Sequence, residues 1–400
     1  SYTTRNDSPA VALGLFPEQT TDVAVDLNQL IYSDPVAAGV TIQEELQRSR
    51  EASLHELRLD IVQAATTAYY LVLNAQSQLE VQETNLRISR TNLELAQNRV
   101  TLGTSTLADV YRWEAEVSRA LVVLASARAD LRQSWETFNR ILNRPQGTRV
   151  VLKEATFDEP FIMTRKEFDE LIRSPADYAV FSNFYIARAL SQAPELDQIN
   201  AQILAKEREL KSTKRAYWLP DFTIGGRYTD NLRQSGIGAG PTAGEGLNDW
   251  SVGVQATLPI FSGGLKKANV SRAEYELRQL QATKIATEER IEEEMRIQLH
   301  AAQAAYSQID LTRAAAESSR KNFELVSDAY ARGTVNVIEL LDAQDTSLEA
   351  NAAAEASLYN FLITIMALQR AVGGYDYLLA PEERNALAEQ FRTVLSDTSP

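Results

Sequence analysis

Two kinds of hydrophobic pattern divide this chain: short runs of strict alternation, and very long runs stepping at three and four. Near the start, Val23, Val25 and Leu27 alternate with Ala24, Asp26 and Asn28. Further on, Phe222, Ile224, Gly226 and Tyr228 share one face while Thr223, Gly225 and Arg227 take the other. The same holds where Trp250, Val252, Val254, Ala256 and Leu258 alternate with Ser251, Gly253, Gln255 and Thr257. A period of two predicts strands. The Gly-rich polar stretch 230–249 predicts an exposed hairpin loop between the last two. Such runs, apolar on one face and polar on the other, suit the wall of a transmembrane barrel. They also suit an ordinary half-buried sheet.

Between these runs lie stretches with helical periodicity and no proline, over residues 36–100 and 265–332. Each predicts a rod about 100 Å long at 1.5 Å per residue, and return helices over 106–142 and 336–372 would be roughly 55 Å. Ile61, Ala65, Ala68, Val72, Ala75 and Leu79 form one apolar stripe, and Leu348, Ala352, Leu358, Leu362, Ile365 and Leu368 another. Alanine at these positions lets neighbouring helices approach closely, which predicts a coiled-coil-like assembly. A further helix is expected over 183–216. The stretch 150–182, mixing Pro, acidic and aromatic residues, predicts an irregular linker with short helices, and the tail 375–400 one short amphipathic helix.

The whole pattern occurs twice. Residues 92–109 match 322–339 in register, pairing Asn92 with Asn322, Glu94 with Glu324, Gly103 with Gly333 and Thr104 with Thr334. The register extends upstream through Ile61/Ile291, Ala75/Ala305, Ser77/Ser307 and Arg90/Arg320, and after one single-residue slip into 23–33 against 252–262. Each copy is a strand, a very long helix, a Gly turn and a return helix, a period too long for a short solenoid. The expected domains are a first repeat at 1–149, the linker at 150–182, a second repeat at 183–374 and a tail at 375–400. The second copy is preceded by a helix that the first lacks, so roughly 45 further upstream residues and a targeting signal are expected in the parent protein.

Composition narrows the function classes. With no cysteine, disulfides, zinc-thiolate sites and thiol nucleophiles are excluded. Two histidines, His55 and His300, leave little for metal or general-base chemistry, and neither has an obvious role. A net charge of −14 disfavours nucleic acid as a partner. No apolar run is long enough for a membrane-spanning helix, which says nothing against barrel strands. No catalytic constellation, phosphate loop, metal spacing or cofactor motif is visible.

The turn containing Tyr330, Gly333, Thr334, Glu339, Asp342 and Gln344 resembles the signature of the TolC family of outer-membrane efflux proteins. So do the junction 258–264, the Trp218-Leu219-Pro220 entry to a strand, and the closing stretch 371–374. The resemblance runs from Tyr2 to about Gly374. It implies a mainly α fold with a small transmembrane β part, in which the duplicated strand and α-hairpin repeat forms a homotrimer. That trimer would be a 12-stranded β-barrel in outer membrane lipid, continued through the periplasm by an α-helical barrel. The function implied is the exit duct of a tripartite efflux pump or type I secretion system, fed by an inner-membrane transporter through a periplasmic adaptor protein, with an iris-like gate. The competing readings are a soluble coiled-coil scaffold and a periplasmic adaptor, neither of which explains alternating strands at homologous places in both copies.

The resemblance also implies site residues. Glu339 and Asp342 share a helix face and match the family's acidic pore constriction, although the pair alone also describes a solvated helix face. Asp109 and Tyr330 match positions that latch the closed tip, a hydroxyl donating to a carboxylate. Val335 stands where the family carries a basic residue, with Arg332 as a substitute. The turns with Val100, Leu102, Gly103, Thr104, Gly333 and Thr334 would dock the adaptor's hairpin tips; alone, each Gly is a helix stop. Val23, Val25, Leu27, Phe222, Ile224, Tyr228, Trp250, Val252 and Val254 would face lipid. The acidic run Glu288, Glu289, Glu292, Glu293 and Glu294 is either a solvated face or tunnel lining.

Overall fold

A computed structural model describes residues 2–4, 13, 17–154, 174–237 and 248–398. The elements follow in order: β1 (Tyr2–Thr4), β2 (Gln19–Tyr32), α1 (Asp34–Thr101), α2 (Leu107–Ile141), α3 (Pro175–Gln192), α4 (Pro194–Arg215), β3 (Asp221–Ser235), β4 (Asn248–Thr257), α5 (Leu265–Ala331), α6 (Val337–Val372), a 3-10 turn (Asp376–Leu378) and α7 (Pro381–Thr398). The two long helices and their return helices stand where the periodicity places them. In α1 the Pro35 ring occupies the first turn, where a missing N–H costs nothing, and no later proline interrupts the ladder.

One expectation needs correction. The helix expected over 183–216 is two helices, because Pro194 forces Ala193 out of the helical region, to φ −65° and ψ 114°. Within 150–182, where short helices are expected, α3 begins at Pro175, started by the Ser174 side chain accepting from the Asp177 N–H at 3.3 Å. The rest of that linker, 155–173, lies outside the described residues, as do 238–247 of the expected hairpin loop. The tail helix is present as α7.

By packing, the chain forms two compact units, and each sequence repeat contributes to both. The first comprises residues 1–51 and 198–284. Its sheet has the order β1-β2-β3-β4, every pair antiparallel. Val25 lies opposite Tyr228, which lies opposite Trp250, and one step along Leu27, Gly226 and Val252 line up. Register shifts at Thr21/Asp22 and Leu30/Tyr32 interrupt the β2–β3 ladder. Helix α4 is tied to α1 and α5 by polar contacts: Gln202 donates to Ser49 at 3.2 Å, Lys206 reaches Glu276 at 2.8 Å and Lys214 reaches Glu274 at 2.9 Å.

The point where β2 turns into α1 is fixed by Asp34, a buried carboxylate. It accepts Arg208 through both oxygens, at 3.2 and 3.3 Å, and Arg215 at 2.8 Å, while the Tyr32 hydroxyl adds a longer contact at 3.5 Å. Burial pushes this carboxyl upward, but hydrogen bonds from Arg215, Arg208 and Ser212 outweigh it and hold the pKa at about 2.

The second unit comprises 52–197 and 285–400. Its main core gathers Phe181, Tyr185, Met295, Leu299, Phe361 and Leu362 from α3, α5 and α6. Phe391 of α7 closes it, its ring edge-on to Phe181 at 5.4 Å. Arg188 and Asp376, both largely buried, pair at 2.8 Å, and the Tyr375 hydroxyl donates to the Leu59 carbonyl at 2.6 Å, so the tail is held by polar as well as apolar contacts.

Asp34→Ala strands two cations beside a buried site, and thermal unfolding in detergent, followed by circular dichroism, is expected to show a loss of about 3 kcal/mol. Because the folded pKa of Asp34 is depressed, its contribution is complete above the ordinary carboxylate value near ~4. That contribution is expected to disappear only as the pH falls toward about 2.

Candidate functional site: paired helical turns and an uncovered sheet face

Helices α1 and α5 end in turns of the same geometry. In the first, the Gly103 N–H donates to the Val100 carbonyl at 2.9 Å and the Thr104 N–H to the Arg99 carbonyl at 2.8 Å. In the second, Gly333 donates to Tyr330 at 2.9 Å and Thr334 to Ala329 at 3.0 Å. This is the Schellman closure, and it needs positive φ at the glycine, here 73° and 79°. Each Thr hydroxyl caps the same carbonyl its N–H does, at 3.1 and 2.9 Å. Leu102 is exposed at the tip of the first turn.

Return helix α6 is started by Asn336, whose side-chain Oδ1 accepts from the N–H groups of Ile338 and Glu339 at 2.9 and 3.0 Å. Its amide donates to the Glu339 carboxylate at 2.8 Å, which fixes that side chain in the first turn, where the helix dipole favours an anion. Glu339 and Asp342 are both exposed, one turn apart on α6. At the equivalent place in the first repeat, Asp109 accepts a hydrogen bond from Ser105.

The structure does not assemble the expected latch within one chain. Tyr330 is almost fully buried, packed with Ala96, Val110, Trp113, Val337 and Leu340, and its hydroxyl has no acceptor among the described residues. Asp109 is engaged locally by Ser105. Arg332 is exposed, and its side chain makes no hydrogen bond or ion pair among the described residues. The cation at the turns is Arg99, which donates to the Tyr330 carbonyl at 2.6 Å and lies 4.6 Å from the centre of the Tyr330 ring. The sequence signal for it was the mismatch between repeats, Arg99-Val100 against Ala329-Tyr330.

Farther along α6, adjacent side chains hold the helix to both elements of the first hairpin. Buried Gln344 donates to Asn85 at 2.8 Å and to Ser89 at 2.9 Å, and accepts from Asn92 at 3.2 Å, all on α1. Asp345 receives a bidentate pair from Arg119 of α2 at 2.8 and 2.9 Å. Arg119 also bonds buried Glu116, and the hydrogen bond to Asp345 is the main reason its pKa is raised. His300 simply lies against the Tyr178 ring.

In the first unit, one face of the sheet is apolar and uncovered. Exposure is 64% at Val25, 70% at Leu27, 73% at Trp250 and 68% at Val254. Val23, Ile224, Tyr228 and Val252 are also exposed, and Phe222 is half-buried. The opposite face carries polar groups, including Asp26 and Arg227 paired at 3.5 Å. An apolar patch of this extent marks a surface that meets something other than water.

The model of the family described as "Outer membrane efflux protein" matches residues 2–144 and 185–374, which hold every element described above except α7, the tail's 3-10 turn and the first part of α3. The chain belongs to that family. It is 24% identical over 356 residues to outer membrane protein TolC of Vibrio cholerae, covering 85% of this chain and 77% of that one. It is 22% identical over 398 residues to TolC of Escherichia coli, covering 95% and 75%. Among solved structures, CusC superposes with a TM-score of 0.76 at 15% identity, covering 94% of this chain and 81% of its own. VceC of Vibrio cholerae superposes with a TM-score of 0.72 at 16% identity, covering 94% and 85%. The family places this efflux protein in the outer membrane, as an exit duct of the kind that efflux and secretion systems use.

Gln344→Leu leaves three buried polar side chains of α1 without their partner, and is expected to cost roughly 2–3 kcal/mol. Amide hydrogen exchange should show the loss of protection centred on residues 85–92 of this efflux protein.

Proposed function

We propose that the working form of this duct is a homotrimer whose three sheets close into one 12-stranded β-barrel. The observation that carries this is the uncovered apolar face on an open sheet: β1 and β4 each pair on one side only, and an open edge is not tolerated in hydrocarbon. Closing three four-stranded sheets in a ring pairs every edge and turns the faces bearing Val25, Leu27, Trp250 and Val254 toward lipid. A soluble coiled-coil scaffold would need that face covered by protein.

In this reading α1, α2, α5 and α6 from three protomers wall the periplasmic tunnel. Substrate enters from an inner-membrane transporter through a periplasmic adaptor, whose hairpin tips dock at Val100–Thr104 and at Gly333 and Thr334. Two turns of the same backbone geometry per protomer give six docking places in the trimer. Glu339, fixed by Asn336, and Asp342 form stacked carboxylate rings that attract cations. The Tyr330 hydroxyl, without an acceptor among the described residues, and Asp109 are left for contacts in the assembled tip.

The native mass of the protein extracted from membranes, corrected for bound detergent, is expected to be that of three chains. A monomer stable without detergent would overturn the reading. In planar bilayers, Glu339→Ala combined with Asp342→Ala is expected to weaken cation selectivity, and unchanged selectivity would remove these two residues from the constriction.

A further inference from the structure

We infer that Arg99 is a positioning residue of the duct's closed tip, gripping the end of α5 from the first helical hairpin; this rests on the proposed reading of the turns as the closed end. The contact has two components. The guanidinium donates to the Tyr330 carbonyl at 2.6 Å, a last-turn carbonyl that also accepts the Gly333 N–H of the turn at 2.9 Å. It thereby places a full positive charge at the negative end of the α5 dipole. The same group sits 4.6 Å from the centre of the buried Tyr330 ring, so the ring's face and its residue's carbonyl are held by one side chain. A second guanidinium nitrogen stands 3.5 Å from the Thr104 carbonyl of its own turn.

Two further features show that the second turn is shaped to this side chain. Gly333 is one: a Cβ there would stand 3.3 Å from the Arg99 guanidinium, so the glycine that closes the turn also makes room for the arginine. The repeats supply the other. Their turns share one set of hydrogen bonds, yet the position of Arg99 is occupied by Ala329 in the second copy and that of Tyr330 by Val100 in the first. The clasp is therefore one-directional, a departure from the internal symmetry that the backbone keeps.

Its position gives it leverage. Gln344 and Asp345 fix α6 to α1 and α2. From Asn92 and Gln344 to the turns, the Arg99 bond is the only polar tie between the two hairpins among the described residues. The remaining contacts there are the apolar cluster around Trp113 and Tyr330, whose indole N–H and hydroxyl both lack acceptors among the described residues. Releasing Arg99 frees the end of α5 and the start of α6 to move about the Gln344–Asp345 fixed point, while the rest of the packing stays intact. The hydroxyl of Tyr330 takes no part in this grip.

The test is resting conductance of trimers in planar bilayers, with trimer melting in detergent as the control. Arg99→Ala and Arg99→Met are expected to raise resting conductance several-fold with unchanged melting. Arg99→Lys, which keeps the charge but not the planar fork, is expected to lie between these and the parent. Parent-like conductance in Arg99→Ala overturns the inference, whether or not melting falls. If the unsubstituted protein forms neither trimers nor pores, the duct reading fails instead.

Discussion

An apolar sheet face that none of the described residues covers is the constraint on which the rest of this molecule depends. Val25, Leu27, Trp250 and Val254 expose side chains whose burial from water would each yield on the order of 1.5–3 kcal/mol. Such a face is tolerable only where the surroundings are apolar, so the sheet must be held firmly by the polar structure beside it. The Asp34 clamp does this at the β2–α1 junction: one carboxylate receives two arginines of α4, and the strand has little freedom to rotate against the helices. Lys266 at the start of α5 adds a bond to the Ala216 carbonyl at 2.7 Å, just beyond the end of α4.

At the turns the balance of forces is different. Long helices packed along alanine-rich stripes gain from many small contacts, and this makes their middles rigid. The core around Met295 and Leu362 and the Gln344 network are of this kind. Near the turns the apolar cluster is small, two buried donors go unanswered, and one arginine supplies the polar connection. If the turns are the closed end, as proposed, opening there needs a region of low local stability beside a rigid one. The distribution of buried polar groups provides that contrast: satisfied at Gln344, unsatisfied at Tyr330.

The internal duplication explains why so much could be read before the coordinates. Element order, the strand faces, the long helices and both Gly turns follow from local periodicity and turn chemistry, each of which depends on neighbours within a few residues. The error in the elements was local as well. The break at Pro194 is written in the sequence as a proline inside an expected helix, and a strong apolar period on both sides obscures it.

What the sequence determined by itself was the set of elements and their repeated order, because backbone hydrogen bonding and hydrophobic period are local properties. It also determined the family, whose motifs sit in the turns and at the junctions. Only the tertiary structure decided how side chains distant in sequence meet. What distinguishes Arg99 from the exposed arginines is Tyr330, in the other repeat, and that contact depends on how the two hairpins pack. The same packing leaves Arg332 in solvent and sends Gln344 and Asp345 to different helices of the first hairpin. No period in the chain encodes those pairings; they follow from helix crossing and register, which the whole core sets.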